Sequence, residues 1–385
     1  MLKTQRAIWV LASLFFMNPI YPAIPASKYA QSGFCFVFTA GLDKRLEMEE
    51  NKMSEAVIKG NIKKSITELV GRTPLLEITN YEQEKQLEAE IVCKLEYLNP
   101  ANSIKDRIAK AMIEDAEKKG FLEEGATILE TTSGNTGIGL AAIAASKGYK
   151  LRIYMQDGVS EERTKVVKAY GTEVIPFSEV PEVAEAIEKT EGDFVEVTKV
   201  FQKVVVDQEE NAVFLNQLEN EANPRIHWET TGPEIWEDTG GDIDILVAAI
   251  GTGGTISGTG AYLKSKNPCV KIVGVEPGVA SIATLENPDI EEITGVHRFS
   301  DVEEKRVPVN VHMEVIDEVI EVETFEAYEA ARTVAKSDGI LVGTSSGAAI
   351  FAATQLARRP ENKGKRIVAI LPDTGLRYLS TDLFD

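Results

Sequence analysis

The chain is 385 residues long, with 43% hydrophobic and 26% charged residues, enough for folded cores in two domains of ordinary size. Its 61 acidic against 41 basic residues leave a net charge of −20. That balance disfavours nucleic acid or an anionic membrane as the main partner, and leaves any anionic ligand to local cradles of backbone N–H groups. The three cysteines, Cys35, Cys93 and Cys269, lie far apart with no CxxC, and His227, His297 and His312 are scattered. Neither a disulfide framework nor a metal site is expected, and a reducing, cytoplasmic setting is the simplest.

Residues 1–52 differ from the rest. Lys3 and Arg6 precede an apolar run over 7–17, the proline-bearing NPIYPAIPA follows, and no acidic residue occurs before Asp43. The layout fits a secretory signal or an acid-poor transit peptide, and equally an upstream extension with Met48 or Met53 as the working start. The run is too short to span a membrane. Residues 1–52 are expected to stand outside the fold, as leader or extension.

Beyond them, short apolar strands alternate with helices. Strands are predicted at 91–95, 127–131, 151–155, 173–176, 243–250, 271–276, 315–322, 340–342 and 366–371, with helices at 138–147, 161–169, 324–336 and 348–357 among those between them. This alternation implies an α/β fold of two domains, with mainly parallel twisted sheets flanked by helices and ligands at the carboxyl ends of the strands. The polar stretch 219–225 marks the boundary, giving domains of 53–217 and 218–385.

Within this pattern the stretch 99–120, NPANSIKDRIAKAMIEDAEKKG, reads as a helix with Lys105 in its first turn. Ser103 with Asp106 forms a helix-opening box, and Ile104, Ile108, Ala111 and Met112 make an apolar stripe. Lys118 and Lys119 close the last turn and Gly120 ends it. The partial positive end of a helix disfavours a cation by roughly 0.3–1 kcal/mol. Together with burial this suits a lysine used as a neutral amine.

Three loops follow strands and open helices. TTSGNTG at 131–137 and GTGGT at 251–255 each aim backbone N–H groups at an anion, suggesting a ligand set with two anionic groups. Neither is a P-loop, which needs Gly-Lys-Ser/Thr, nor a dinucleotide fingerprint, because Ile256 takes the last glycine position. The third, GTSSG at 343–347, has the form of a hydrolase nucleophile elbow. The last histidine, His312, precedes Ser345, so that order of catalytic groups is not available. A first-turn lysine, two anion cradles and a strand-end hydroxyl suit pyridoxal phosphate and an amino-acid substrate.

From about residue 65 to the C-terminus the chain resembles the cysteine synthases (O-acetylserine sulfhydrylases) of the tryptophan-synthase-β-like, fold-type II group. The resemblance rests on VGRTPLLEI at 70–78, NSIKDRIAKAMI at 102–113, TSGNTGIGLA at 132–141 and ANPRIHWETTGPEIW at 222–236. GTGGTISG at 251–258, GTSSGAA at 343–349 and LPDTGLRYLSTDLF at 371–384 complete it. It implies that Lys105 carries the cofactor and later removes the substrate α-proton, and that Asn135 hydrogen-bonds the cofactor's phenolic oxygen. By the same resemblance Thr132, Ser133, Gly134 and Thr136 with Gln217 hold the substrate carboxylate, and Gly251, Thr252, Gly253, Gly254 and Thr255 hold the phosphate. Ser345 would face the pyridine nitrogen and leave it unprotonated. The implied reaction is a β-replacement forming L-cysteine from O-acetyl-L-serine and sulfide through an aminoacrylate, in a homodimer with serine acetyltransferase as its candidate partner.

The chain departs from the family pattern at Thr131, Gln156 and Leu218, and most of all over 299–312. There a charged FSDVEEKRVPVNVH replaces a glycine-rich segment that in the family lines the site entrance. Two alternatives follow. One is a related β-replacement enzyme using O-phosphoserine, or serine with homocysteine. The other is a weakly active homologue kept as a binding partner of serine acetyltransferase.

Overall fold

The computed structural model describes residues 61–385 except 158–160, 191–192, 285–286 and 288–289; the leader assigned to residues 1–52 lies outside them. Among the described residues ten strands make two sheets, and the strand ends position everything that follows. β1 (Leu75–Glu77), β2 (Glu90–Leu95), β7 (Ile245–Ala249), β8 (Lys271–Pro277), β9 (Glu318–Val322) and β10 (Arg366–Leu371) form a six-stranded sheet in the order β1-β2-β10-β7-β8-β9. It is parallel apart from β1, which runs antiparallel to β2. β3 (Thr127–Thr131), β4 (Lys150–Met155), β5 (Glu173–Pro176) and β6 (Ala212–Phe214) form a fully parallel sheet in the order β5-β4-β3-β6. The expected α/β architecture of mainly parallel sheets is present.

The larger sheet is apolar on both faces, and the two-residue repeat of a strand shows which helices cover each. Ile91, Cys93, Ile245, Val247, Ile367 and Ala369 face one cluster. It is completed by Ala327, Ala331 and Val334 of the helix Thr324–Ser337, and by Ala349, Ile350 and Ala353 of the helix Thr344–Ala357. Val92, Leu246, Ala248, Val368 and Ile370 face the other, with Ile235, Ile256 and Leu263. Near-continuous Val, Ile and Ala runs in these strands follow from burial on both sides.

Four helices carry or flank the site: α1 (Lys105–Lys118), α2 (Asn135–Lys147), α3 (Gly254–Lys266) and α4 (Thr344–Ala357). The buried stripe of α1 runs through Ile108, Ala109, Met112, Ile113 and Ala116, while the expected Ala111 stands at its edge. α1 packs on α2 closely: a Cβ on Gly139 would lie 3.2 Å from both the Lys105 carbonyl oxygen and the Ala109 Cβ.

Some expected elements differ. Residues 340–342 contribute only an isolated bridge, Val342 with Thr374. Val315 closes a 3-10 turn, so β9 begins at Glu318. α2 and α4 start earlier than predicted, at Asn135 and Thr344, because the hydroxyl- and glycine-rich loops are themselves first helical turns. β1 and β2 precede residue 217 yet belong to the sheet of C-terminal strands, so the chain visits the larger sheet both before and after the smaller one.

Candidate active site

Lys105 opens α1 directly beside the carboxyl end of β10. Ser103 pairs in an antiparallel bridge with Asp373, and the Ile104 N–H donates to the Pro372 carbonyl at 2.8 Å. That bridge is why the expected Ser103 cap does not form in its usual place. The N-cap position falls on Ile104, in helical conformation, while the Ser103 hydroxyl accepts from Lys105 N at 3.2 Å and Asp106 reaches back to Ala101 N at 2.6 Å. Burial holds the Lys105 amine below the ordinary lysine range; the nearby Asp373 carboxylate pulls it part of the way back.

Behind the lysine, α1 is fixed by buried charges. Arg107 donates to both oxygens of Glu96, at 2.7 and 2.8 Å, and to both oxygens of Glu234, each at 2.7 Å. Lys94 pairs with Glu234 at 2.8 Å. Arg107 and Lys94 thus face Glu96 and Glu234, with Asp238 3.9 Å from Lys94 at the exposed edge of the cluster, and Glu96 and Glu234 are both held below the usual carboxylate range against the opposing pull of burial. Removing one member would leave a buried charge uncompensated.

The loop after β3 builds one anion cradle. Gly134, in extended conformation, precedes α2, and no side chain caps that helix. Its first N–H groups are thus left for an anion. The Thr136 hydroxyl donates to Gln217 Oε1 at 2.6 Å, joining the cradle to the end of β6. Beneath lies Glu130, fully buried, accepting from Thr131 N at 3.0 Å and Gln217 N at 3.3 Å. Burial pushes its carboxyl up to about 8.

The loop after β7 builds the second. Gly253 caps α3 with φ +86°, and a Cβ there would collide with Val311. Only glycine satisfies both conditions. α3 likewise has no side-chain cap. Thr252 Oγ1 accepts from Asn223 Nδ2 at 3.0 Å, and Thr255 Oγ1 lies 3.2 Å from His227 Nε2. His227 in turn bonds Thr231 through Nδ1 at 2.8 Å, and burial, with Arg107 and Lys105 nearby, keeps its ring neutral.

Both cradles, Lys105 and Ser345 open onto one cavity of about 810 Å³. Of the residues singled out from sequence, Lys105, Thr132, Ser133, Gly134, Asn135, Thr136, Gln217, Gly251, Thr252, Gly253, Thr255 and Ser345 all line it. Gly254 does not; it sits behind the wall, where a Cβ would collide with the Asn223 side chain. Sequence reasoning missed Arg163, His297 and Tyr378 in the wall, and Asn223, His227 and Asp373 behind it. Burial lowers His297 to about 4, with Lys105 adding to the effect.

The unusual segment 299–312 does not line this cavity; the wall on that side comes from 290–297. Phe299 and Val311 are buried, and Glu276 accepts from Phe299 N at 2.9 Å and the Ser300 hydroxyl at 2.7 Å. Asn310 donates to the carbonyls of Gln217 and Asn220, at 3.0 and 3.3 Å, and accepts from Ser257 at 2.8 Å. The expectation of an entrance lining is corrected. With Val311 against Gly253 and Asn310 under Gln217, the segment is a strut beneath both cradles.

The donor set fits pyridoxal phosphate. A partly desolvated amine is the group that condenses with an aldehyde, a glycine cradle that no side chain can fill suits a phosphate, and Ser345 offers a neutral hydroxyl. The family profile of pyridoxal-phosphate dependent enzymes matches residues 66–373. A cysteine synthase of Staphylococcus aureus is 41% identical over 324 residues, covering 83% of this chain and 96% of its own. Among solved structures, the cysteine synthase of Entamoeba histolytica is similar with a TM-score of 0.71 and 37% identity, over 85% of this chain and 92% of that one. A hydrogen sulfide-producing enzyme of Fusobacterium nucleatum has a TM-score of 0.71 and 36% identity, over 83% and 99%. The chain belongs to the pyridoxal-phosphate dependent enzymes, in the fold-type II group that contains the cysteine synthases, and its cofactor is pyridoxal 5'-phosphate.

Proposed function

We propose that the chain forms L-cysteine from O-acetyl-L-serine and sulfide by β-replacement. The observation that carries this reading is the convergence of the Lys105 amine, two uncapped helix ends and Ser345 on a single cavity. Pyridoxal phosphate, when bound, supplies the electron sink that makes the substrate Cα–H acidic. The amides of Gly251, Thr252, Gly253 and Thr255 would hold its phosphate, with Gly254 behind them at the start of α3. Asn135 donates to its ring oxygen, and Ser345 presents a neutral hydroxyl to its ring nitrogen.

Thr132, Ser133, Gly134 and Thr136 with Gln217 hold the substrate carboxylate. Lys105 is the catalytic residue: its amine takes the α-proton and later returns it. In the balance of the reaction the Cβ–O bond breaks and acetate departs with the bonding pair. A Cβ–S bond to sulfide then forms, so no external oxidant or reductant is required. A homodimer, a cytoplasmic setting consistent with the free Cys93 and Cys269, and a complex with serine acetyltransferase belong to the same reading. Steady-state rates with O-acetylserine and sulfide, against O-phosphoserine and against serine plus homocysteine, test it. The highest kcat/KM is expected for O-acetylserine with sulfide; a preference for either other pair would overturn the substrate assignment.

A further inference from the structure

Asn135 is gripped at both ends of its amide. Its Nδ2 donates to Asp373 Oδ2 at 2.7 Å, and its Oδ1 accepts from Arg377 Nη1. An amide side chain has two nearly equivalent orientations, and its neighbours decide between them. Here they decide completely, because a carboxylate only accepts and a guanidinium only donates. Nδ2 carries two hydrogens, so after the bond to Asp373 one N–H is left for the cavity that Asn135 lines.

The grip is itself supported. Asp373 is fully buried and its Oδ2 also accepts from the Tyr378 hydroxyl at 2.7 Å. Its Oδ1 has no hydrogen-bond partner among the described residues and lies against Gly343, the residue capping the N-terminus of α4. A second Arg377 nitrogen donates to the Ala101 carbonyl, so the guanidinium is fixed from the backbone leading into Lys105.

We propose that Asp373, with Arg377, is a positioning residue that locks Asn135 so that it offers a donor, and never its carbonyl, to the negatively charged ring oxygen of the cofactor. This rests on the donor role given to Asn135 above. A flipped amide would set a carbonyl oxygen against that oxygen, repelling the group it should hold.

The test uses apo-enzyme reconstituted with pyridoxal phosphate alone, reading its Kd and the visible circular dichroism of the bound cofactor. Asp373→Asn should weaken binding about tenfold, the worth of one hydrogen bond to a charged group, and change the dichroic band. Arg377→Gln should move both readouts in the same direction, and serves should Asp373→Asn fail to fold. Asn135→Ala combined with Asp373→Asn should be no weaker than Asn135→Ala alone, because the two act through one contact. Wild-type Kd and dichroism in Asp373→Asn and Arg377→Gln, with Asn135→Ala impaired, would overturn the lock alone, as would strict additivity in the double variant. Wild-type behaviour of Asn135→Ala would remove the donor role itself, and the lock with it.

Discussion

Asn223 donates its amide to the Thr252 hydroxyl at 3.0 Å, and the same nitrogen reaches the Gln217 carbonyl at 2.8 Å. One side chain thus ties the phosphate cradle to the strand end that completes the carboxylate cradle. Both cradles should loosen when it is cut. Asn223→Ala is expected to raise the Kd for pyridoxal phosphate and the KM for O-acetylserine together, each by about tenfold for a lost buried hydrogen bond with its partner left unsatisfied. A change in only one of the two constants would show that the link is not functional.

Close packing of α1 on α2 sets the height of the lysine. Gly139 leaves 3.2 Å between a would-be Cβ and the Lys105 carbonyl, so a larger side chain must push the first turn of α1. Gly139→Val should cost about 1–3 kcal/mol of stability and lower kcat, with Gly139→Ala milder. Denaturant unfolding and steady-state kinetics read both; wild-type kcat in the valine variant would contradict the coupling.

Buried and exposed ion pairs should behave differently in the same molecule. Arg107→Met leaves Glu96 buried without its guanidinium and should cost about 3–5 kcal/mol. Lys363→Met breaks the exposed pair with Glu88, 2.6 Å apart, and should stay within about 0.5 kcal/mol. Equal losses in urea unfolding would refute the assigned role of the cluster around α1.

Glu130 gives a pH signature. Folded, it keeps its proton to about 8, whereas an unfolded glutamate releases it near about 4.3. Its contribution is therefore complete below the unfolded value and is lost as pH rises through 8. Burial raises Glu82 and Asp106 as well, each to about 7, so their losses are largely over by then. The melting temperature of wild type should keep falling between pH 7 and 8, while that of Glu130→Gln should be flatter there. Parallel curves would contradict the assignment.

The amine itself should be reactive early. With burial lowering it and Asp373 opposing, Lys105 in the apo-enzyme should be acylated at a lower pH than the surface lysines. Asp373→Asn removes the opposing charge and should shift that reactivity to still lower pH. Labelling followed across pH by peptide mass spectrometry checks both directions; a shift upward in the variant would contradict the account.

How far the sequence could be read depended on whether a feature was local. The strand ends at Thr131 and Ala249, with the glycine and hydroxyl residues after them, and the run 343–347 that opens α4, are each consecutive in the chain, so their role as helix openings was legible. Lys105 was legible for the same reason, from its place before an apolar stripe. Asp373, by contrast, acquires its meaning from Asn135 and Ser103, more than two hundred residues away, and no periodicity announces that meeting. Asn223 and His227 lay inside a recognised stretch, yet only the packing of the helix Ala222–Ile226 against α3 shows what they hold. β1 and β6, of three residues each, are too short for an alternating pattern to register. The segment 299–312 was expected to be an altered entrance because in the family it resembles that stretch lines the site. Phe299, Asn310 and Val311, which are buried, decide its place instead.

The chemistry turns on which nitrogen carries the cofactor. Borohydride reduction of the loaded protein, followed by digestion and mass mapping, should place one pyridoxyl group on the peptide containing Lys105 and on no other lysine. A yellow protein whose label maps elsewhere, or whose Lys105 peptide stays unmodified, would contradict it.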